Sequence, residues 1–338
     1  MPSLHSPLAP GARFGRYRIR RQLAPDGLAT IYDAQPDGAA GVDALVALKC
    51  LHPPLAGEVE LVRLFVDEAS LTSRISHPNV CAVTDFGELD GTFYLATELL
   101  HGESFAAVLR ACLRTSIPAV ERARLFVKLL SDACDGMHAA HELRDDDGAP
   151  MEVVHRNVSL QNLFVTMDGV AKVLDFRVAK CRGRSQADEI LARMTLGRRN
   201  LEYLSPEELR GHPLDRRSDV WALGVVAWEM LVGQRLFRHE SSVESVNAVL
   251  SGDIAPPSTH VPGLSPELDR VVLGALARDP AERIPTARDL GRELLRALAT
   301  TAAVPSLHEV AERMAELFPD ADAKRTDVES APPPGAVR

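Results

Sequence analysis

HRNVSLQNLFV at residues 155–165, followed by VLDFRVAK at 173–180, holds the densest set of chemistry-bearing side chains in the chain. Asn162 supplies an amide and Asp175 a carboxylate, both side chains carrying hard oxygen atoms. Asn157 stands in the same loop. Its amide has no basic lone pair near neutral pH, so it can orient a hydroxyl but cannot deprotonate it. No Asp or Glu lies between His155 and Val165.

Around this centre the chain divides in two. From Phe14 to Glu98 the pattern is strand-rich, in YRIRRQL, ATIYDAQ, LVALKCL, VCAVTDFGEL and TFYLATEL, with one amphipathic helix predicted over 58–75. From Ser104 a helical period takes over, in FAAVLRACLR, AVERARLFVKLLSDACDGMHAAHEL, DVWALGVVAWEMLVG, SVESVNAVLSG, PELDRVVLGALAR and TARDLGRELLRALA. The expected fold class is therefore α+β: a small antiparallel β lobe with one helix (14–100) and a larger, mainly α lobe (101–298). Residues 1–13 read as a flexible leader, 299–318 as a further amphipathic helix (EVAERMAELF), and 319–338 as a disordered tail.

At 338 residues and 46% hydrophobic composition the chain can bury a large core. Its formal net charge of −9, with both signs scattered along the sequence, argues against a nucleic-acid or anionic-membrane surface. The five cysteines are widely spaced with no CxxC pair, as expected of reduced cytosolic thiols. His138 and His141, near a predicted helix end, read as solvated or capping rather than as ligands. The most apolar run, VWALGVVAW at 220–228, is too short to span a bilayer and reads as a buried helix. The N-terminus has no continuous apolar signal core, so the expected location is cytoplasmic.

A strand-rich lobe, a hinge and a helical lobe carrying these motifs in this order resemble the bacterial eukaryotic-like (Hanks-type) Ser/Thr protein kinases, over roughly Phe14 to Ala299. The resemblance implies a bilobal kinase fold with ATP and Mg²⁺ as cofactors. Lys49 in LVALKCL matches the strand lysine that contacts the α- and β-phosphates, and Glu68 in LFVDEASL its ion-pair partner. Thr97 matches the gatekeeper, with Glu98 to Leu100 as the adenine-contacting hinge. Asn162 and Asp175 match the two Mg²⁺ ligands. Glu207 in SPE matches the residue that pairs with an arginine, here Arg283, and Asp219 the helix aspartate that holds the catalytic loop.

The departures from the pattern are specific. Asn157 replaces the aspartate that takes the substrate's proton, a contribution of about 10²–10⁴ in rate. LAPDGLATIYDA places Ala24, Asp26 and Ala29 at the three glycine positions of the phosphate loop and keeps only Gly27 between them. Pro25 removes an N–H donor there, and Asp26 sets a negative charge where phosphate should arrive. Arg177 replaces the glycine after Asp-Phe and could pair with Asp175 in place of a cation. Ser159 stands where many kinases have lysine, and Arg199 and Asn200 where a Gly-Thr pair is frequent.

The resulting expectation is a degenerate kinase-fold protein, a pseudokinase serving as a binding or allosteric signalling module. Its expected partner is an active kinase or other signalling protein, with weak or absent ATP and Mg²⁺ binding and no nucleic-acid or membrane partner. The alternative is a weakly active or atypical Ser/Thr kinase that relies on positioning and electrostatics. A small-molecule phosphotransferase of related fold is disfavoured, because SPE and DVWALGV belong to the protein-kinase pattern.

Overall fold

The computed structural model describes residues 8–25, 29–38, 45–52, 55, 58–176 and 201–321. They fall into two compact units, one drawn from Met1–Arg74, Cys81–His101 and Pro319–Arg338, the other made of Ile75–Val80 and Gly102–Phe318.

The first unit is a six-stranded antiparallel sheet in the order β1-β2-β3-β4-β6-β5, formed by β1 (Arg13–Phe14), β2 (Tyr17–Pro25), β3 (Ala29–Pro36), β4 (Val46–Leu51), β5 (Val83–Leu89) and β6 (Thr92–Glu98). Period-two alternation decides its faces. Tyr17, Ile19, Tyr32, Ala34, Val46, Leu48 and Cys50 pack one side, while Leu51, Phe65, Ala69 and Leu95 form a second cluster with α1 (Val59–Thr72). Order begins before the expected boundary at Phe14. Leu8 N donates to Tyr32 Oη at 3.0 Å, and Gly11 N and Ile19 N exchange bonds with Ile19 O and Ala12 O, so residues 8–13 are tied to the sheet.

The second unit is built on helices. It contains β7 (Gly102–Ser104), α2 (Phe105–Arg114), α3 (Ala119–His141), β8 (Leu163–Thr166), β9 (Ala171–Val173), α4 (Pro206–Leu209), α5 (Arg217–Val232), α6 (Ser242–Ser251), α7 (Pro257–His260), α8 (Pro266–Ala275), α9 (Ala287–Ala299) and α10 (Leu307–Leu317). Helix α5 carries the apolar run and is buried on every side; Gly233, at φ 83°, ends it in the left-handed conformation glycine tolerates. Serine or threonine caps start six of the described helices of this unit: Ser104 for α2, Ser205 for α4, Ser241 for α6, Ser265 for α8, Thr286 for α9 and Ser306 for α10.

Two boundaries differ from the sequence reading. VCAVTDFGEL was expected to be strand from residue 80, yet β5 starts at Val83, because Val80 pairs with Val173 and Asn79 donates to Ala171 O. The segment 75–80 therefore belongs with the second unit. Helix α10 was assigned outside the domain ending at 298, but Val310 and Met314 are fully buried in the same cluster as α2, α3 and α5. No helix among the described residues is long and apolar enough to cross a membrane.

Candidate functional site

In the first unit, the antiparallel register sets Lys49 opposite Ile31 of β3 and Leu95 of β6. Its ammonium lies 3.2 and 3.3 Å from the two carboxylate oxygens of Glu68 on α1, with the Phe65 ring 5.8 Å away. Both side chains are largely withdrawn from solvent, at 12% and 4% exposure, so the charges are only weakly screened.

The remaining expected cofactor residues of this unit lie near the ends of its strands. Ala24 pairs with Ile31, and Ala29 at the start of β3 is fully buried. Thr97 sits opposite Ala47 and Val83, and its hydroxyl donates to Glu98 O at 3.4 Å. The Glu98 carboxylate accepts from Ala82 N at 2.8 Å, while Leu100 is half-buried just beyond β6. Asp26 and Gly27 lie outside the described residues, as do Arg177, Cys181, Arg199 and Asn200.

In the second unit the loop 155–162 is held from below by Asp219, near the start of α5. Its two carboxylate oxygens accept from His155 N at 2.7 Å and Arg156 N at 2.9 Å, and His141 Nε2 is 2.8 Å from Oδ2. Burial opposes the Asp219 charge, but the hydrogen bond and charge of His141, with His155 behind them, hold its carboxyl below the usual range. These bonds support Arg156 in a left-handed backbone conformation, φ 63°. Arg156 Nε also donates to Glu208 of α4 at 3.1 Å. Next to Glu208, Glu207 makes a two-pronged ion pair with Arg283, at 2.7 and 2.9 Å.

The expectation for His138 and His141 needs correction, since both are buried rather than solvated. A helical period placed them one turn apart on the inner face of α3, where burial pushes the His138 imidazole below its ordinary value. His155 is likewise shifted down by burial; its Nε2 is 3.0 Å from Leu174 O and its ring packs edge-on against Phe176 at 4.5 Å.

Asn157, Asn162 and Asp175 come together. Asn157 Nδ2 donates to Asp175 Oδ2 at 3.0 Å, and Asn162 Nδ2 donates to Asn157 O at 2.8 Å. Leu174 N donates to Asn162 O at 2.9 Å and joins the two ends of the hairpin formed by β8 and β9. Asp175 adopts φ 63°, an unusual conformation for a non-glycine residue. The fit to Mg²⁺ is uneven. Asn162 suits a hard cation, because its amide nitrogen is committed and its remaining donor atom is oxygen. Asp175 suits it less well, because one carboxylate oxygen already accepts the Asn157 amide.

Sequence reasoning missed this bond, the Arg156–Glu208 pair and the grip of Asn79 on β9. All three join residues distant in sequence. The local signal available for one of them is the HPN triplet at 77–79, a turn-forming stretch between α1 and β5.

A family description, Protein kinase domain, matches residues 39–293. Tyrosine-protein kinase MasK of Myxococcus xanthus strain DK1622 is 37% identical over 278 residues, covering 81% of this chain and 42% of that protein. Serine/threonine-protein kinase PknE of Mycobacterium tuberculosis strain H37Rv is 31% identical over 292 residues, covering 86% and 47%. The chain thus spans less than half the length of these two relatives. The crystal structure of the Mycobacterium tuberculosis PknI kinase domain matches at a TM-score of 0.61 and 25% identity, covering 86% of this chain and 100% of that one. With the fold, the motif order and a family match over well more than half of the sequence in agreement, the chain belongs to the protein kinase domain family.

Proposed function

We propose that this chain is a pseudokinase: a kinase-fold binding or allosteric signalling module with weak or absent ATP binding, acting on an active kinase or another signalling protein. The observation that carries the reading is the 3.0 Å bond from Asn157 Nδ2 to Asp175 Oδ2. An amide at that position presents a donor, so it satisfies the neighbouring carboxylate instead of accepting a proton from a substrate hydroxyl. The same bond takes up one of the lone pairs with which the Asp175 carboxylate would hold a bound Mg²⁺. When bound, that cation would be held by Asn162 and Asp175 and would neutralise phosphate charge. Asp26 adds a negative charge near the phosphate loop of the family pattern. A reducing, cytoplasmic setting belongs to this reading, supported by four buried free cysteines, Cys50, Cys81, Cys112 and Cys134.

A second reading, a weakly active protein kinase, is favoured by the intact Lys49–Glu68 pair at 3.2 Å and by Asn162. The two relatives are named for different acceptors, tyrosine in one and serine or threonine in the other, so protein hydroxyls in general are the substrate class of that reading. Calorimetric titration with ATP, with and without Mg²⁺, joined to an assay of γ-phosphate transfer with Asp175→Ala as control, separates the two. Weak or undetectable binding and no transfer above the control are expected. Turnover in the ordinary kinase range of about 1–100 s⁻¹ overturns the pseudokinase reading.

A further inference from the structure

We infer that helix α10, which lies beyond the family-matched residues 39–293, positions the candidate cation ligands Asn162 and Asp175 by gripping the far end of the β8–β9 hairpin. The inference rests on the reading of those two residues as ligands and concerns what holds them in place.

Both residues flank one short hairpin. Asn162 immediately precedes β8, Asp175 follows β9 by two residues, and the Leu174 N to Asn162 O bond of 2.9 Å closes the base between them. At the opposite end, Gly169 makes the turn at φ 86°, with its N–H bonded to Thr166 O at 2.9 Å. A Cβ on Gly169 would lie 2.8 Å from Leu307 O, 3.1 Å from Ala311 N and 3.1 Å from Val310 Cβ. The backbone of the first turns of α10 therefore rests directly on the hairpin turn, at a spacing that only glycine allows.

The helix is itself firmly seated. Val310 and Met314 are fully buried in the cluster that also contains Val165 of β8 and Val173 of β9. Arg313 pairs with Glu121, Arg124 pairs with Glu309, and Arg124 Nε donates to Ala303 O at 2.8 Å, so α3 is joined to α10 and to the segment leading into it. On the outer edge of β9, Val173 N donates to Asn79 O at 2.8 Å. A hairpin this short, bonded along both strands and close-packed at its turn, transmits a displacement of the turn to its base rather than absorbing it.

The test uses the full chain carrying Gly169→Val, which wedges the turn from the helix, and separately Met314→Asp, which removes the helix's buried anchor. Hydrogen exchange is followed at the amides of Asn162 and Leu174, with the amides of α5 as internal reference. Exchange at least about tenfold faster at the hairpin base with α5 unchanged supports the inference. Acceleration confined to residues 304–318 overturns it, and so does acceleration of α5 in step with the hairpin, which would make α10 a general prop of the unit. Titration with Mn²⁺ alone of Asn157→Asp, in which the amide no longer engages Asp175 Oδ2, separates the two layers. Absence of Mn²⁺ binding sinks the ligand reading, and with it the role assigned to α10 at a cation site. Absence of the exchange response sinks the coupling whatever the metal does.

Discussion

Asn157 Nδ2 donates to Asp175 Oδ2 across 3.0 Å, and the sign of that contact depends on which group stands at residue 157. An amide makes it attractive. A carboxylate at the same distance would repel Asp175 by about 5 kcal/mol at an effective dielectric constant of ~20, before the side chains relax or solvent intervenes. The variant Asn157→Asp is therefore expected to melt below the wild type in EDTA and to regain much of the loss when Mg²⁺ is added, since a divalent cation turns the repulsion into shared coordination. The wild type is expected to show little Mg²⁺ dependence. Thermal denaturation of both proteins with and without Mg²⁺ checks this, and equal Mg²⁺ shifts in the two would show that the contact does not govern cation binding.

Removing one partner of the buried Lys49–Glu68 pair takes from the other charge an ion pair made inside the first unit. Glu68→Ala is expected to cost on the order of 2–3 kcal/mol, somewhat below the usual figure for a fully buried pair because Lys49 keeps partial access to water. Lys49→Met keeps the packing of the lysine stem but strands Glu68, the more deeply buried charge, so it should cost at least as much. Chemical denaturation of the two variants gives the comparison. A clearly larger loss for Glu68→Ala than for Lys49→Met would contradict it.

Glu207 and Arg283 anchor α4 through a two-pronged bond, and Glu207 also accepts from Ser218 Oγ at 2.9 Å. Arg283 donates to the carbonyls of Ala277 and Arg217 as well. Arg283→Ala should thus destabilise by about 3–5 kcal/mol. Exchanging the two charges should fail to rescue, because a glutamate at 283 cannot donate to those carbonyls. Full recovery in the swapped double variant would mean the pair acts by charge alone.

Much of the fold was legible because its elements follow simple periods. The helix predicted at FAAVLRACLR is Phe105–Arg114, and the one predicted over 58–75 is Val59–Thr72. Where the reading failed, the deciding partner lay far along the chain. The histidines of α3 looked solvated because nothing nearby in sequence pairs with them, whereas the partner of His141 is Asp219, 78 residues later. The loss of a base at Asn157 was readable from residue type alone. That its amide turns to Asp175 was not, because the contact depends on the left-handed backbone at Asp175, and local sequence rules assign that conformation to glycine or asparagine first.

His77, His138 and His155 are all pushed below their ordinary value of 6.5, in each case chiefly by burial. Below about pH 6.5 the unfolded chain binds protons that the folded chain refuses, so stability rises with pH through this range and the contribution is fully present above it. Asp219 acts in a lower window: its depressed carboxyl stabilises the fold above the ordinary value of 3.8, and that contribution disappears only as pH falls through the lower folded value. Denaturation midpoints should fall between about pH 7.5 and 5.5, and His155→Gln should flatten that slope. An unchanged slope would mean that His155 takes up its proton without unfolding.

Restoring the proton acceptor tests whether the catalytic defect is single or cumulative. Asn157→Asp returns a base, but it also creates a repulsion with Asp175, and the charged residues Asp26 and Arg177, both outside the described residues, still stand where the family pattern has glycine. The single revertant is therefore expected to transfer little or no γ-phosphate. Adding Asp26→Gly removes a negative charge from the segment matching the phosphate loop and restores backbone freedom; adding Arg177→Gly removes a positive charge two residues along the chain from Asp175. Groups that act as a unit are not additive in catalysis, so the triple revertant should gain far more than the product of the separate changes. Initial rates of the parent, the single revertants and the triple revertant at saturating Mg-ATP decide the matter. A single revertant as fast as the triple would place the whole defect at Asn157, and a triple as slow as the parent would place it elsewhere in the chain.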